Sequence, residues 1–136
     1  MKLELKHLAP YLPYGLKIKG NTYGEIKTLY GIKGESVFID TLTTPYPWAD
    51  FSDIKPILRS LSDLKKEIRH KDVDFIPVEF LIKEGFNVSD EWIESGFIDI
   101  IRSDYEFIQL LLEWHFDIHG LIENGLAIDI NTLNYE

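Results

Sequence analysis

The run Glu113-Trp114-His115-Phe116-Asp117-Ile118-His119 concentrates the groups in this chain best suited to chemistry. Two histidines four residues apart on a helix lie on one face and can both reach a single metal ion. Asp117 or a distant carboxylate would complete such a set. Phe116 stands directly after the first histidine, where a metalloprotease signature places the glutamate that activates water. The spacing therefore makes His115 and His119 candidate metal ligands without supplying a hydrolytic base. Both also flank an apolar stripe, where a histidine more often bridges core and solvent, and we prefer that reading.

Other routes to catalysis lack their signatures. With no cysteine, thiol nucleophiles, disulfides and cysteine-held metals are excluded. No Gly-x-Ser-x-Gly elbow occurs, and Ser60, Ser89 and Ser103 each read as a helix cap. Gly31-Ile32-Lys33-Gly34 lacks the spacing and the Lys-Ser/Thr ending of a phosphate loop and reads as a turn. Pairs such as Asp72 with Asp74, or Asp99 with Asp104, are expected by chance among 23 acids. No catalytic residue and no cofactor is assigned.

Binding is the better supported chemistry. Tyr46-Pro47-Trp48 sits in a proline-rich loop, and aromatic side chains on stiff segments anchor interfaces at low entropic cost. Pro10-Tyr11-Leu12-Pro13-Tyr14 has the same character. Such aromatics equally cover the open face of a small sheet, and for these residues we prefer that core-lid reading to a partner contact. The candidate binding set is Tyr46 and Trp48, joined by the acids Glu106, Glu113 and Asp117.

Charge narrows the partner. The chain of 136 residues has a net charge of −9, unevenly spread. Residues 1–71 carry 12 Lys/Arg against 8 Asp/Glu, and residues 72–136 carry 2 against 15. A half at −13 repels phosphate backbones, so nucleic acid is not expected to bind directly through it. A protein partner with a basic surface is expected instead, drawn in by electrostatic steering.

The positioning elements follow from periodicity. Leu16-Lys17-Ile18-Lys19 alternates, and Ser36 to Leu42 is rich in β-branched and aromatic residues. With the run Glu25 to Ile32 and the intervening glycine turns, they predict an antiparallel meander. Pro56-Ile57-Leu58-Arg59 reads as a short edge strand. Ser60 with Leu61, Leu64 and Ile68 predicts a helix ending near Arg69–His70. Pro77 starts a second helix, which Gly85 closes. Ser89 to Gly96 suggests a third. Ser103-Asp104-Tyr105-Glu106 opens a fourth, with an apolar stripe of Phe107, Leu111, Trp114, Ile118 and Leu121 or Ile122. Gly120 could cap it, leaving Asn124-Gly125 as a hairpin turn, but the stripe favours continuation to Asn124, with Gly125 as its cap. Leu126 to Asn131 would then form a closing strand. The expected fold is α+β, an antiparallel N-terminal β-meander packed against C-terminal helices, as one domain over 1–136.

The opening Met1-Lys2-Leu3-Glu4-Leu5-Lys6 holds no apolar run of secretory length. No stretch approaches the ~20 apolar residues that span a bilayer. A cytoplasmic protein without a membrane partner is expected.

Three segments carry a resemblance. His7-Leu8-Ala9-Pro10-Tyr11-Leu12-Pro13-Tyr14-Gly15-Leu16 is one, and Lys55-Pro56-Ile57-Leu58-Arg59-Ser60-Leu61-Ser62-Asp63-Leu64 is another. The last is Trp114-His115-Phe116-Asp117 through Gly120-Leu121-Ile122-Glu123, with the following Gly125-Leu126-Ala127-Ile128-Asp129-Ile130-Asn131. They resemble small uncharacterised proteins encoded by phages and prophages of Bacteroidetes-type bacteria. That family has no assigned activity, so the resemblance implies only context, a small cytosolic accessory protein of viral origin. The leading expectation is a protein-binding module, such as an inhibitor of a host defence or nucleic-acid-processing enzyme. A small-molecule or metal-binding protein using His115 and His119, either a signal sponge or a minor hydrolase, is the alternative. A structural phage component is a further one.

Overall fold

In a computed structural model, the structure describes residues 2–20, 26–39, 48–86 and 105–133. The fold is α+β, and the chain divides into two compact units. One comprises residues 1–58 and 121–136, the other Arg59–Gly120. The charge step near residue 71 falls inside the second unit rather than at a seam.

The first unit opens with a short helix, α1 (Leu5–Leu8), and a 3-10 turn over Ala9–Tyr14 that Gly15 ends at φ +65°. Tyr11 within that turn is fully buried, so it belongs to the core and not to a contact surface. Strands β1 (Lys17–Gly20), β2 (Ile26–Thr28), β6 (Ile54–Leu58) and β9 (Ile128–Asp129) form one sheet in the order β2-β1-β6-β9. Ile18 is buried between the lysines that alternate with it, as a half-buried strand requires.

Two expectations need correction here. First, β6 is not an edge strand, because it lies between β1 and β9. Its proline is tolerated because β9 pairs only with Ile57 and Leu58, so at Pro56 the strand is locally an edge. Second, the run 25–32 is not one strand. Its first half joins the four-stranded sheet as β2, and its second half begins a separate sheet as β3 (Gly31–Lys33), followed by β4 (Ser36–Phe38) and β5 (Trp48–Asp50). That second sheet is the antiparallel meander, in the order β3-β4-β5. The closing strand does form, as β9, parallel to β6.

The second unit departs further from expectation. Ser60 is a cap, its hydroxyl accepting from the Ser62 N–H at 3.3 Å. The segment it caps is a 3-10 turn, Leu61–Lys65, rather than a helix running to residue 70. The chain then forms a hairpin of β7 (Ile68–His70) and β8 (Val73–Phe75). Its two turn residues, Lys71 and Asp72, both have positive φ, at 51° and 66°. That is the mirror-image turn whose twist matches a hairpin. Helix α2 (Pro77–Lys83) starts on its proline as expected.

The helix we label α3 (Tyr105–Glu113) does not continue to Asn124. Its stripe is nevertheless buried. Phe107, Leu111 and Trp114 pack with Leu64, Ile68, Leu81 and Phe116 in the core of this unit. The helix expected over Ser89–Gly96 and the cap Ser103 lie outside the described residues.

Candidate functional site

The candidate residues fall in two places. Trp48 lies in the β3-β4-β5 sheet, while Glu106, Glu113, His115, Asp117 and His119 lie in the Arg59–Gly120 unit. Tyr46 is outside the described residues.

Alternation sets the outer face of the three-stranded sheet. Val37 is fully buried and pairs with Ile32 and Ala49, which fixes the inner face. The residues between point the other way, in two rows. One row is Gly31, Phe38 and Trp48, and the other is Lys33, Ser36 and Asp50. Trp48 and Phe38 are direct cross-strand partners with ring centroids 5.0 Å apart, tilted at 57°. Such a pair stabilises the sheet while leaving aromatic surface available. Trp48 keeps 44% of its surface exposed. In the second row the Ser36 hydroxyl donates to Asp50 Oδ1 at 3.2 Å, which orients an exposed carboxylate beside the aromatic pair. Asp50 also borders a cleft of about 360 Å³, where Glu35, Lys2 and Lys55 bring the lining acids and lysines to two each.

The other group of candidates is arranged differently from the sequence expectation. Helix α3 has ended before either histidine, so the i, i+4 spacing does not place His115 and His119 on one helical face. Among the described residues no set of three His, Asp or Glu side chains is placed to hold a metal ion. His115 takes a left-handed conformation, φ +63°, and stops the helix. The N–H groups of His115 and Phe116 donate to the carbonyls of Leu112 and Leu111, at 3.0 and 2.9 Å. Asp117 is buried, 5% exposed, and its Oδ1 accepts from the His119 N–H at 3.3 Å. Glu106 is exposed and Glu113 half-buried. Asp117 is thus a folding residue, not an open contact.

What His115 does meet is His70. Their rings lie edge to face, with centroids 5.1 Å apart at 85°. Arg59, 7% exposed, ties this region together. Its Nε donates to the Trp114 carbonyl at 3.0 Å and its Nη2 to the Arg69 carbonyl at 2.9 Å. Its backbone bridges to the strand-like segment after α3, with Arg59 N–H to His115 O and Asp117 N–H to Arg59 O both at 2.8 Å. Burial holds the His70 imidazole below its ordinary pKa of 6.5, and the charges of Arg59 and Lys71 push it the same way. His70 Nε2 is buried without a hydrogen-bond partner, as a neutral ring nitrogen tolerates better than a charged one.

Sequence reasoning missed Arg59 and His70. No motif marks either, although a lone arginine ending the apolar run Ile57-Leu58 was a signal that its charge must be satisfied inside.

The acids of this unit are not an unbroken field. Its 14 Asp/Glu outnumber 7 Lys/Arg. On the hairpin, however, Arg69 Nε pairs with Asp74 Oδ1 at 3.6 Å, and Lys71 stands beside Asp72. Lys66 likewise pairs with Asp63 at 3.5 Å.

Among the described residues no helix is long and apolar enough to cross a membrane. Comparison with protein-family models, with curated proteins and with solved structures gave no match.

Proposed function

We propose that this chain is a small acidic protein-binding module, that the outer face of the β3-β4-β5 sheet is its contact surface, and that its partner presents a basic surface. The observation that carries the reading is Trp48, a large aromatic held against Phe38 yet 44% exposed. Tryptophan is the residue type most often found at the energetic centre of an interface, and a side chain already immobilised by packing loses little entropy on binding. The exposed Asp50 carboxylate, held by Ser36 on the same outer face, supports a cationic group opposite it. Enzymes that act on nucleic acids, host defence enzymes among them, present such surfaces, and an accessory protein that occupies one would inhibit it.

The test is capture of partners from a lysate by the tagged chain at about 0.05 and 0.5 M salt, beside its Trp48→Ala variant. The wild type is expected to retain a specific protein at low salt and release it at high salt, and the variant to retain none. Equal capture by the variant would remove the sheet face from the interface. Salt-independent capture would remove the basic partner.

A further inference from the structure

We infer that the Trp48–Asp50 face recognises a cationic side chain of the partner, and arginine in particular. The inference rests on the reading of this sheet face as the binding surface and adds the chemistry it selects.

Trp48 and Asp50 are the two outward positions of β5, with Ala49 turned inward between them. Positions two apart on a strand are separated by roughly 6.5 Å. A cation is attracted to an aromatic face within about 6 Å of the ring centroid, and a carboxylate takes a charge-assisted hydrogen bond at about 2.8 Å. One guanidinium therefore spans both groups, stacked on the indole and donating to the carboxylate. Ser36 supports this by holding Oδ1 of Asp50 from one side, at 3.2 Å, so the second carboxylate oxygen has a defined direction. Lys33 occupies the same row but on β3, two strands away, at roughly 10 Å. It is too distant to neutralise Asp50. Lys2 and Lys55 line the cleft that Asp50 borders, together with Glu35, but among the described residues no cation comes within 4.0 Å of that carboxylate. Arginine is favoured over lysine because its planar fork stacks and donates at once, whereas an ammonium is a compact, strongly hydrated point charge.

The experiment uses the whole chain and three blocked octapeptides of alternating threonine and a second residue. That residue is arginine, lysine or citrulline, the uncharged analogue of arginine. Fluorescence anisotropy of labelled peptide gives affinity. The Trp48 indole N–H resonance, assigned by its loss in Trp48→Phe, gives the place of binding. The arginine peptide is expected to shift that resonance saturably, the lysine peptide to bind at least threefold more weakly, and the citrulline peptide not to bind. Asp50→Asn retains an acceptor for Ser36 and is expected to weaken the arginine peptide about tenfold. Trp48→Leu should do the same, while Trp48→Phe, which keeps an aromatic face, should stay within threefold of wild type.

Absence of binding, equal binding of the citrulline peptide, or an Asp50→Asn variant within twofold of wild type would each overturn the inference. So would a homodimer by light scattering that Trp48→Leu dissolves, since a second copy would then be the occupant. A partner lost on Trp48→Ala while the peptides stay inert would leave the binding surface standing and remove only its preference for arginine.

Discussion

Helices α2 and α3 end with one hydrogen-bond pattern built from different residues. At α2 the N–H groups of Gly85 and Phe86 donate to the carbonyls of Ile82 and Leu81, both at 3.0 Å, and Gly85 sits at φ +93°. At α3 the N–H groups of His115 and Phe116 make the corresponding bonds, and His115 sits at φ +63°. This is the Schellman closure, whose left-handed position is usually glycine because a Cβ there meets the following carbonyl. Glycine at 85 fulfils the backbone role and nothing more. Histidine at 115 performs the same role against a steric cost of about 1 kcal/mol, and its side chain packs against a neighbouring ring. Its surroundings are the His70 ring and the Arg59 bridge. One helix end is a stop, and the other is a stop that also docks a hairpin.

Removing the bridge separates the two ends most sharply. Arg59→Met deletes the hydrogen bonds from its guanidinium to the carbonyls of Trp114 and Arg69 and strands both. Each such bond contributes about 1.5–3 kcal/mol, partly offset because a buried charge is also removed. We expect a loss of about 2–4 kcal/mol in urea denaturation. Amide exchange should rise over residues 114–117 while the end of α2, residues 84–86, keeps its protection. Equal deprotection of both ends would show that they are not distinct.

Substitution at the two left-handed positions is the next smaller effect, with opposite signs. Gly85→Ala introduces a Cβ at φ +93° and is expected to destabilise by about 1–2 kcal/mol. No neighbouring atom lies within 4 Å of that Cβ, so the cost is backbone strain and not a clash. His115→Gly relieves the same strain and is expected to stabilise by up to about 1 kcal/mol, less whatever the His70 contact contributes. A destabilised His115→Gly would mean the ring contact outweighs the strain.

These contrasts also show what could be read from the sequence. The stripe Phe107, Leu111, Trp114 identified buried positions correctly. It failed to locate the end of the helix, because partial burial of Ile118 and full burial of Leu121 at helical spacing need no continuous helix. What stops α3 is a histidine in the left-handed position, where glycine or asparagine is the usual sequence signal. Leu61, Leu64 and Ile68 show the same ambiguity. Their spacing fits a helix, but a 3-10 turn followed by a strand places all three against the same core. Ser60 caps either one, so the cap could not arbitrate. Glycine and proline signals were more reliable, since Pro77 and Gly85 bound α2 as their backbone preferences require. At the sheet face, Trp48 was legible by type. Its pairing with Phe38 and the outward direction of Asp50 were not, because both depend on a register that residues 40–47 leave unspecified by length alone.

The smallest expected effect sharpens the comparison most, because it isolates one ring in the docked hairpin. The folded state holds the His70 pKa below 6.5, while in the unfolded chain His70 returns to that value. Between the two values the unfolded chain binds more protons, so acid favours it. The contribution from neutral His70 is therefore complete above pH 6.5, declines as pH falls from 6.5 through the folded-state value, and is absent below that. Burial is the largest cause, followed by the guanidinium of Arg59 and then the ammonium of Lys71. His70→Phe keeps an aromatic ring against His115 and removes the proton site. The melting temperature of the wild type is expected to fall more steeply than that of His70→Phe as pH drops below 6.5, with the two curves parallel above it. In a His115→Gly background the slope should persist, because its causes are burial, Arg59 and Lys71. If His115→Gly abolishes it, the neighbouring ring itself keeps His70 neutral, and the difference between the two helix ends lies in that ring rather than in the arginine.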